Sequence, residues 1–518
     1  QCLVGSEMCI RDSLIGLAGA GASSGMAMAH WEIQGWMILI LGWVFVPFYS
    51  RSMVYTMPEF LERRYNPQSR TILSVISLVS YVLTKVAVTV YAGGLVFQQV
   101  FGIKELWGID FFWIAAIGLV VLTALYTIFG GMKSVLYTSV LQTPILLLGS
   151  LIILVLGFKE LGGWDEMMRV CGAVTVNDYG DTMTNLIRSN DDANFPWLGA
   201  LIGSAIIGFW YWCTDQFIVQ RVLSGKNEKE ARRGTIFGAY LKLLPVFLFL
   251  IPGMIAFALH QKYIGAGGEG FLPMLANGTA NADAAFPTLV AKLLPAGVKG
   301  LVVCGILAAL MSSLASLFNS SAMLFTIDFY KRFRPETPEK KLVGIGQIAT
   351  VVIVILGILW IPIMRSVGDV LYTYLQDVQS VLAPGIAAAF LLGICWKRTS
   401  AQGGMWGLIA GMVIGLTRLG AKVYYSNAGE VADSTFKYLF YDMNWLFFCG
   451  WMFLFCIIVV IVVSLATEAP TAEKIQGLVF GTATKEQKAA TRASWDHWDI
   501  IHTAIILAIT AAFYWYFW

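Results

Sequence analysis

Long uncharged apolar runs, each close to the length of a membrane-crossing helix, constrain this sequence more than any other feature. Examples are residues 139–158, 342–364, 445–465 and 500–518. A helix needs about 20 apolar residues to cross about 30 Å of hydrocarbon. Of the 518 residues, 58% are hydrophobic and 13% are charged, whereas soluble domains carry roughly 25% charged residues. The sequence therefore predicts an all-α, polytopic membrane protein.

Charged or Gly/Pro-rich joints divide the chain into about 13 predicted helices, each near the length that a bilayer demands. Gly, Ser and Thr inside the runs do not argue against helices, because membrane helices tolerate them at packed interfaces. We place the helices near residues 12–24, 27–50, 73–101, 111–130, 134–158, 197–222, 234–260, 296–330, 341–367, 369–396, 401–424, 444–466 and 498–518.

Basic residues cluster at alternate joints between the predicted helices. Because cytoplasmic loops carry the excess of Lys and Arg, these joints are expected on the cytoplasmic side. The aromatic tail 513–518 then ends at the outer face of a plasma (inner) membrane. The clusters are Arg51, Arg63, Arg64 and Arg70; Lys226, Lys229, Arg232 and Arg233; Lys331, Arg332, Arg334, Lys340 and Lys341; and Lys397 and Arg398.

Several classes of protein are disfavoured by what the sequence lacks. It has no G-x-x-x-x-G-K-[ST] stretch, so we expect no nucleotide-driven motor. The eight cysteines are scattered, and the four histidines form no cluster with them, which indicates neither a disulfide framework nor a metal site. We expect no nucleic-acid partner and no enzymatic chemistry.

Ionisable residues inside the predicted helices each cost about 2.5–3.5 kcal/mol, so each needs a reason. For Lys85, Arg221 and Asp328 the ordinary explanation is a salt bridge between helices, or a side chain that reaches the membrane interface. The complete set is Glu32, Lys85, Asp215, Arg221, Lys242 and Asp328.

Five residues suggest a site for a polyhydroxylated solute. The ammonium of Lys242 lies in an apolar stretch and needs oxygen partners, which solute hydroxyls would supply. A carboxylate at Glu32 accepts hydrogen bonds, and the amide of Gln376 both donates and accepts them. Tyr211 and Trp212 offer flat faces on which a sugar ring can stack. Aromatic residues also serve as core or interface residues in membrane helices. This pair alone therefore does not distinguish a solute site from ordinary packing.

Ala309, Ser312 and Ser313 lie close together on one predicted helix. Two hydroxyls and a freed carbonyl would form a neutral cage of hard oxygen ligands, which suits an alkali cation. Small residues also pack helices together in membranes, and spacing alone does not separate these two interpretations.

Several longer motifs resemble one family in matching order. Residues 210–221, with the sequence WYWCTDQFIVQR, are similar to the sixth core helix of sugar carriers. The likeness runs from about Leu14 to the C-terminus. It is to the sodium/solute symporter family and, within it, to the sodium/glucose cotransporters. The other motifs are YTMPEFLERR at 55–64, YTIFGG at 126–131, SSLAS at 312–316 and FLLGICWK at 390–397.

The resemblance implies a LeuT-type core of two five-helix inverted repeats, the first helix of each being broken in mid-membrane. We expect this transport core over residues 14–396, with repeats near 12–158 and 197–396. Peripheral helices then follow over 397–518, with a cytoplasmic linker at 467–496. Residues 1–13 do not match the family pattern, and we interpret them as an anomalous, truncated or read-through start.

The resemblance also assigns roles to the candidate site residues. Glu32, Lys242 and Gln376 correspond to sugar contacts, while Tyr211 corresponds to an inner gate with Trp212 beside it. The hydroxyls of Ser312 and Ser313 and the carbonyl of Ala309 correspond to sodium ligands, completed by carbonyls of an unwound first helix around residues 6–13.

This chain departs from the family pattern at several positions. Gly35 and Gly208 stand where some relatives have polar side chains that contact the sugar. Thr138 and Ser139 stand where some relatives carry an aspartate tied to a second sodium, so we expect one ion. Residues 6–13 do not match the unwound helix of the family.

The function implied is sodium-coupled symport of a glucose-like or galactose-like hexose by alternating access. One sodium ion crossing 100 mV supplies about 2.3 kcal/mol, and a tenfold gradient supplies about 1.4 more. Together they support roughly 500-fold accumulation. A symporter of inositol, sialic acid, an amino acid or a monocarboxylate is the nearest alternative. A sodium-permeable channel or a membrane sensor is more remote.

Overall fold

The computed structural model describes residues 16–52, 54, 56–223, 225–275, 278–367, 371–427 and 432–518. At residues 126, 128–143, 221, 223, 363–367 and 371–372 it describes the backbone alone. The predicted anomalous segment 1–13 therefore lies outside the described residues.

The described chain is almost entirely helical. Its only strands, Glu105–Leu106 and Ile109–Asp110, pair as a hairpin across Trp107 and Gly108. The α-helices are Gly16–Ser24, Ala29–Glu32, Gly35–Ile40, Val46–Ser52, Met57–Arg64, Pro67–Ser80, Ala87–Phe101, Phe111–Leu161, Trp164–Gly172, Trp197–Gly208, Gln216–Leu223, Glu228–Pro245, Ile251–Gly265, Ala285–Leu293, Ala296–Met323, Lys331–Phe333, Glu339–Val367, Leu371–Cys395, Ala401–Asn427, Thr435–Lys437, Trp445–Ala466, Ala472–Ile475, Lys485–Ala493 and His497–Tyr516.

Short turns of other helix types join several of these α-helices into longer stretches. A π-turn lengthens the ring of each backbone hydrogen bond and often occurs at functional sites. The 3₁₀ turns are Gly25–Met28 and Ala282–Ala284, and the π-turns are Leu41–Phe45, Tyr81–Val86, Phe209–Thr214, Val246–Leu250, Leu324–Tyr330 and Tyr438–Asp442.

Among the described residues, 11 helical stretches are long and apolar enough to cross a membrane, with Phe111–Leu125 as a shorter apolar helix. The first stretch, Gly16–Ser52, contains the predicted helix 27–50 and the described part, from residue 16, of the predicted helix 12–24. The prediction of a polytopic helical membrane protein is therefore confirmed.

One predicted helix boundary is wrong. The sequence suggested a joint between residues 130 and 134, but the backbone is helical without interruption over the 51 residues Phe111–Leu161. Gly130 and Gly131 had suggested the joint. A glycine inside a helix costs only about 1 kcal/mol relative to alanine, so two glycines do not end a helix whose neighbouring residues favour it.

The helix in which the mid-membrane break of the second repeat is expected is interrupted at Asp215. The helix that begins at Trp197 continues through the π-turn Phe209–Thr214, and Asp215 then takes an extended conformation with φ −74° and ψ 128°. A helix resumes at Gln216. The matching break of the first repeat was expected around residues 6–13, which lie outside the described residues.

Two helices pack with their backbones in direct contact. A Cβ atom added to Gly253 would lie 2.0 Å from the carbonyl oxygen of Ala18, and one added to Gly21 would lie 2.2 Å from that of Leu250. Only glycine permits such a separation. This packing joins helix Gly16–Ser24 to helix Ile251–Gly265.

Two clusters of the basic residues expected on the cytoplasmic side anchor helices to one another. The guanidinium of Arg70 pairs with the fully buried carboxylate of Asp328 at 2.5 Å. Arg233 pairs with Asp496 at 2.7 Å and with Asp499 at 3.1 Å, at the start of the last helix. The salt-bridge explanation for Asp328 is therefore confirmed, whereas the side chain of Arg221 lies outside the described residues.

We expect Gly253→Ala to destabilise the fold, because the new methyl group would overlap the Ala18 carbonyl. Overpacking of this kind costs about 1–3 kcal/mol. Thermal unfolding of purified protein in detergent measures the loss. Gly420→Ala is the matched control, since a Cβ added at this helical glycine meets nothing within 4 Å. Equal unfolding temperatures for the two variants would contradict the prediction.

Candidate solute and sodium sites

A cavity lies among helices that belong to both predicted repeats. Its wall combines apolar and aromatic side chains with polar groups, the usual composition of a solute site. The polar and aromatic residues that line it include Trp31, Gln34, Thr84, Lys85, Thr89, Tyr211, Trp212, Phe217, Lys242, Ser313, Gln376 and Gln379.

Lys242 and Glu32 form a buried ion pair at this cavity. Lys242 Nζ donates a hydrogen bond to Glu32 Oε2 at 2.6 Å, and it lies 5.5 Å from the centroid of the Trp212 ring. Lys242 lines the cavity, whereas Glu32 is completely buried and does not. The sequence suggested that solute hydroxyls supply the oxygen partners of Lys242, whereas in the structure the carboxylate of Glu32 supplies one, as a buried charge requires.

Tyr211 and Trp212 belong to the π-turn Phe209–Thr214, just before the helix break at Asp215. Both line the cavity, with their rings edge to face and their centroids 5.1 Å apart. The break therefore brings two consecutive aromatic residues to one wall of the cavity.

Gln376 also lines the cavity, on helix Leu371–Cys395. Its side-chain oxygen is buried and has no hydrogen-bond partner among the described residues. A buried acceptor without a donor costs about 1–3 kcal/mol. A solute hydroxyl in the cavity could remove that cost.

A second buried ion pair lies at the helix break. Lys85 Nζ donates to Asp215 Oδ2 at 2.5 Å, and the hydroxyl of Tyr81 donates to Oδ1 of the same carboxylate at 3.0 Å. The ammonium also lies 4.0 Å from the centroid of the Phe217 ring and 5.1 Å from that of Tyr211. The salt-bridge explanation is therefore confirmed for Lys85.

The predicted sodium ligands lie on helix Ala296–Met323 and are buried. Ala309 is 1% exposed, Ser312 is 1% exposed and Ser313 is 8% exposed. Ser313 also lines the cavity, so this candidate cation site adjoins the candidate solute site. The carbonyl ligands expected around residues 6–13 lie outside the described residues, as do the side chains of Thr138 and Ser139.

Sequence reasoning missed several polar residues of the cavity wall. Gln34 and Gln379 lie two and three residues after Glu32 and Gln376, respectively, and Thr84 adjoins Lys85. The same argument from the cost of polar groups in hydrocarbon could have found the two amides, but it was applied to ionisable groups. Gln376 itself was noticed for the chemistry of its amide.

The sequence is similar to that of known proteins over most of its length. A sequence model described as "Sodium:solute symporter family" matches residues 2–411. The human sodium/myo-inositol cotransporter 2 is 36% identical over 481 residues, covering 90% of this chain and 70% of that protein. The sheep (Ovis aries) sodium/glucose cotransporter 1 is 37% identical over 472 residues, covering 88% and 70%.

The fold also matches a solved structure, the substrate-bound outward-open state of a Na⁺-coupled sialic acid symporter. The TM-score is 0.66 at 20% identity, over 91% of this chain and 90% of that chain. At this identity the likeness concerns the fold alone. The predicted all-α, LeuT-type architecture is confirmed.

We expect Glu32→Met alone to destabilise the protein by about 3–5 kcal/mol, because it leaves the buried ammonium of Lys242 unpaired. The double variant Glu32→Met/Lys242→Met should recover most of that stability, since both charges are gone. Thermal unfolding in detergent measures these changes. Arg169→Met, which breaks an exposed pair with Glu166, should leave unfolding unchanged.

The same double variant separates a structural role from a solute-binding role. Although stable, it should lose most sodium-driven uptake, because the ammonium on the cavity wall is missing. Uptake at the wild-type level would show that the pair serves only the fold.

Proposed function

This chain belongs to the sodium:solute symporter family, and on that premise we propose that the solute it moves with sodium is a glucose-like or galactose-like hexose. The chain is a sodium-coupled solute symporter and a multi-pass membrane protein, not an enzyme. Sodium is its coupling ion. We further propose that it resides in the plasma (inner) membrane and carries its solute into the cell.

The observation that supports a neutral polyhydroxylated solute is the balance of charge on the cavity wall. Both lysines that line it, Lys85 and Lys242, are paired with the buried carboxylates of Asp215 and Glu32. A solute carboxylate would have to compete with these partners for the ammonium groups. A sugar requires no such exchange, because its hydroxyls can donate and accept hydrogen bonds beside an intact ion pair.

The amides and aromatic rings fit the same class of solute. Gln376 has a buried oxygen without a donor among the described residues, and a hydroxyl is a suitable donor. Tyr211 and Trp212 offer apolar faces to the C–H side of a ring. Solutes that carry a carboxylate, such as amino acids, sialic acids or monocarboxylates, are less well suited to this wall.

We also propose that, within the core formed by the two predicted repeats 12–158 and 197–396, a bundle of helices rocks about this cavity. Sodium would bind first, at the hydroxyls of Ser312 and Ser313 and the carbonyl of Ala309, and would hold the outward-open form. The solute would then enter beside Lys242 and Gln376. Movement of Tyr211 would open the inward path. The peripheral helices 397–518 would support this core.

myo-Inositol is a second candidate solute. It has the same class of hydroxyls as a hexose, and the human relative that is 36% identical is named for it. Inositol has no ring oxygen and no hydroxymethyl group, so the two candidates differ at only part of the ring. Competition of each unlabelled compound against sodium-driven uptake distinguishes them.

We expect purified protein in proteoliposomes to accumulate labelled glucose against its gradient when sodium is outside, and to lose accumulation when potassium replaces sodium. Saturable, uphill uptake would also exclude a channel or a sensor. Equal uptake in the two salts would end the proposal of sodium coupling. Stronger competition by myo-inositol than by glucose or galactose would show that the transported solute is inositol and not a hexose.

We expect Ser312→Ala to raise the sodium concentration needed for half-maximal uptake by about tenfold, because a charge-assisted contact contributes about 1.5 kcal/mol or more. Ser150→Ala is the matched control, since Ser150 is equally buried on a different helix and its hydroxyl has no partner among the described residues. A sodium dependence equal to that of the wild type would remove Ser312 from the site.

A further inference from the structure

Gln34 is held in a single orientation beside the cavity. Its side-chain nitrogen donates a hydrogen bond of 2.8 Å to the backbone carbonyl of Ser204, and the residue is 2% exposed. A carbonyl oxygen can only accept, so the NH₂ group must face Ser204 and the amide cannot be turned around. The side-chain oxygen, Oε1, is therefore directed away from Ser204.

Gly208 leaves the space that this oxygen occupies. A Cβ atom added to Gly208 would lie 2.5 Å from Gln34 Oε1 and 3.1 Å from its Cδ. Both residues line the cavity. Any side chain at position 208 would displace the amide, so the glycine and the glutamine form a matched pair.

The local fold makes no other use of this side chain. Gln34 precedes helix Gly35–Ile40 as its N-cap residue, but its side chain makes no capping hydrogen bond. Within the part of the chain that the structure describes, Oε1 accepts no hydrogen bond from the protein. It is an acceptor on the cavity wall for which the described residues supply no donor.

We propose that Gln34 is a specificity-determining residue, whose Oε1 accepts a hydrogen bond from one hydroxyl of the solute, and that Gly208 makes this contact possible. The assignment rests on the proposed polyhydroxylated solute and names one further contact for it. A wall acceptor of this kind discriminates against a solute that lacks the matching hydroxyl, because the acceptor is then left buried and unpaired.

The test removes the hydroxyl and the acceptor separately and together. Proteoliposomes containing wild-type protein, Gln34→Met or Gly208→Ala take up labelled glucose with sodium, in competition with glucose and its 2-, 3-, 4- and 6-deoxy derivatives. Methionine keeps the approximate volume of glutamine but offers no comparable acceptor. Gly234→Ala is the control, because a Cβ added there meets nothing within 4 Å.

For the wild-type protein we expect one deoxy compound to bind about 3- to 10-fold more weakly than glucose through loss of this contact. In Gln34→Met, the binding of glucose should weaken by a similar factor. The deoxy compound that bound more weakly to the wild type should then bind as well as glucose, while the other deoxy compounds keep their binding relative to glucose. Gly208→Ala should reproduce this pattern by displacing Oε1, which provides the answer even if Gln34→Met does not fold.

If each deoxy compound loses the same fraction of binding relative to glucose in wild type, Gln34→Met and Gly208→Ala, the assignment is overturned while the proposed function stays intact. If the wild type transports myo-inositol instead of glucose, the deoxy-inositols replace the deoxy sugars and the same outcomes apply. Absence of sodium-driven uptake of both compounds by the wild type would overturn the proposed function together with this assignment.

Discussion

In hydrocarbon, no water can satisfy a polar group that lacks a protein partner, and this constraint explains most of what is specific in the structure. The buried charges of Lys85, Lys242 and Asp328 all have partners of opposite sign on other helices. These pairs orient the helices relative to one another. The groups without protein partners at the cavity are then the natural contacts for a solute.

The sequence predicted the helices because bilayer thickness sets their length, and it predicted Tyr211, Trp212, Lys242 and Gln376 as neighbours of one cavity. It did not predict which charges pair. Lys242 and Glu32 are 210 residues apart, and hydropathy contains no information about contacts at that separation. The expected joint at residues 130–134 failed for a different reason, since glycines inside a stretch that favours a helix do not by themselves end it.

Gln34 shows why part of the site could not be found from the sequence. Its importance depends on Ser204, which orients the amide, and on Gly208, which leaves space for it. Neither relation is visible in the spacing of residues. Gly208 was noticed in the sequence as a missing side chain, whereas in three dimensions a side chain from a neighbouring helix occupies its place.

The backbone contacts of Gly21 with Leu250 and of Gly253 with Ala18 have a mechanical consequence. With no side chains between the two backbones, nothing at the contact can bend or change rotamer to absorb a displacement. Helix Gly16–Ser24 cannot approach helix Ile251–Gly265 any further at this contact, because no side chain lies between them that could repack. This face of the two helices is close-packed and cannot adjust by moving side chains. We therefore expect the rearrangements of a transport cycle at their other faces, where flexible side chains can repack.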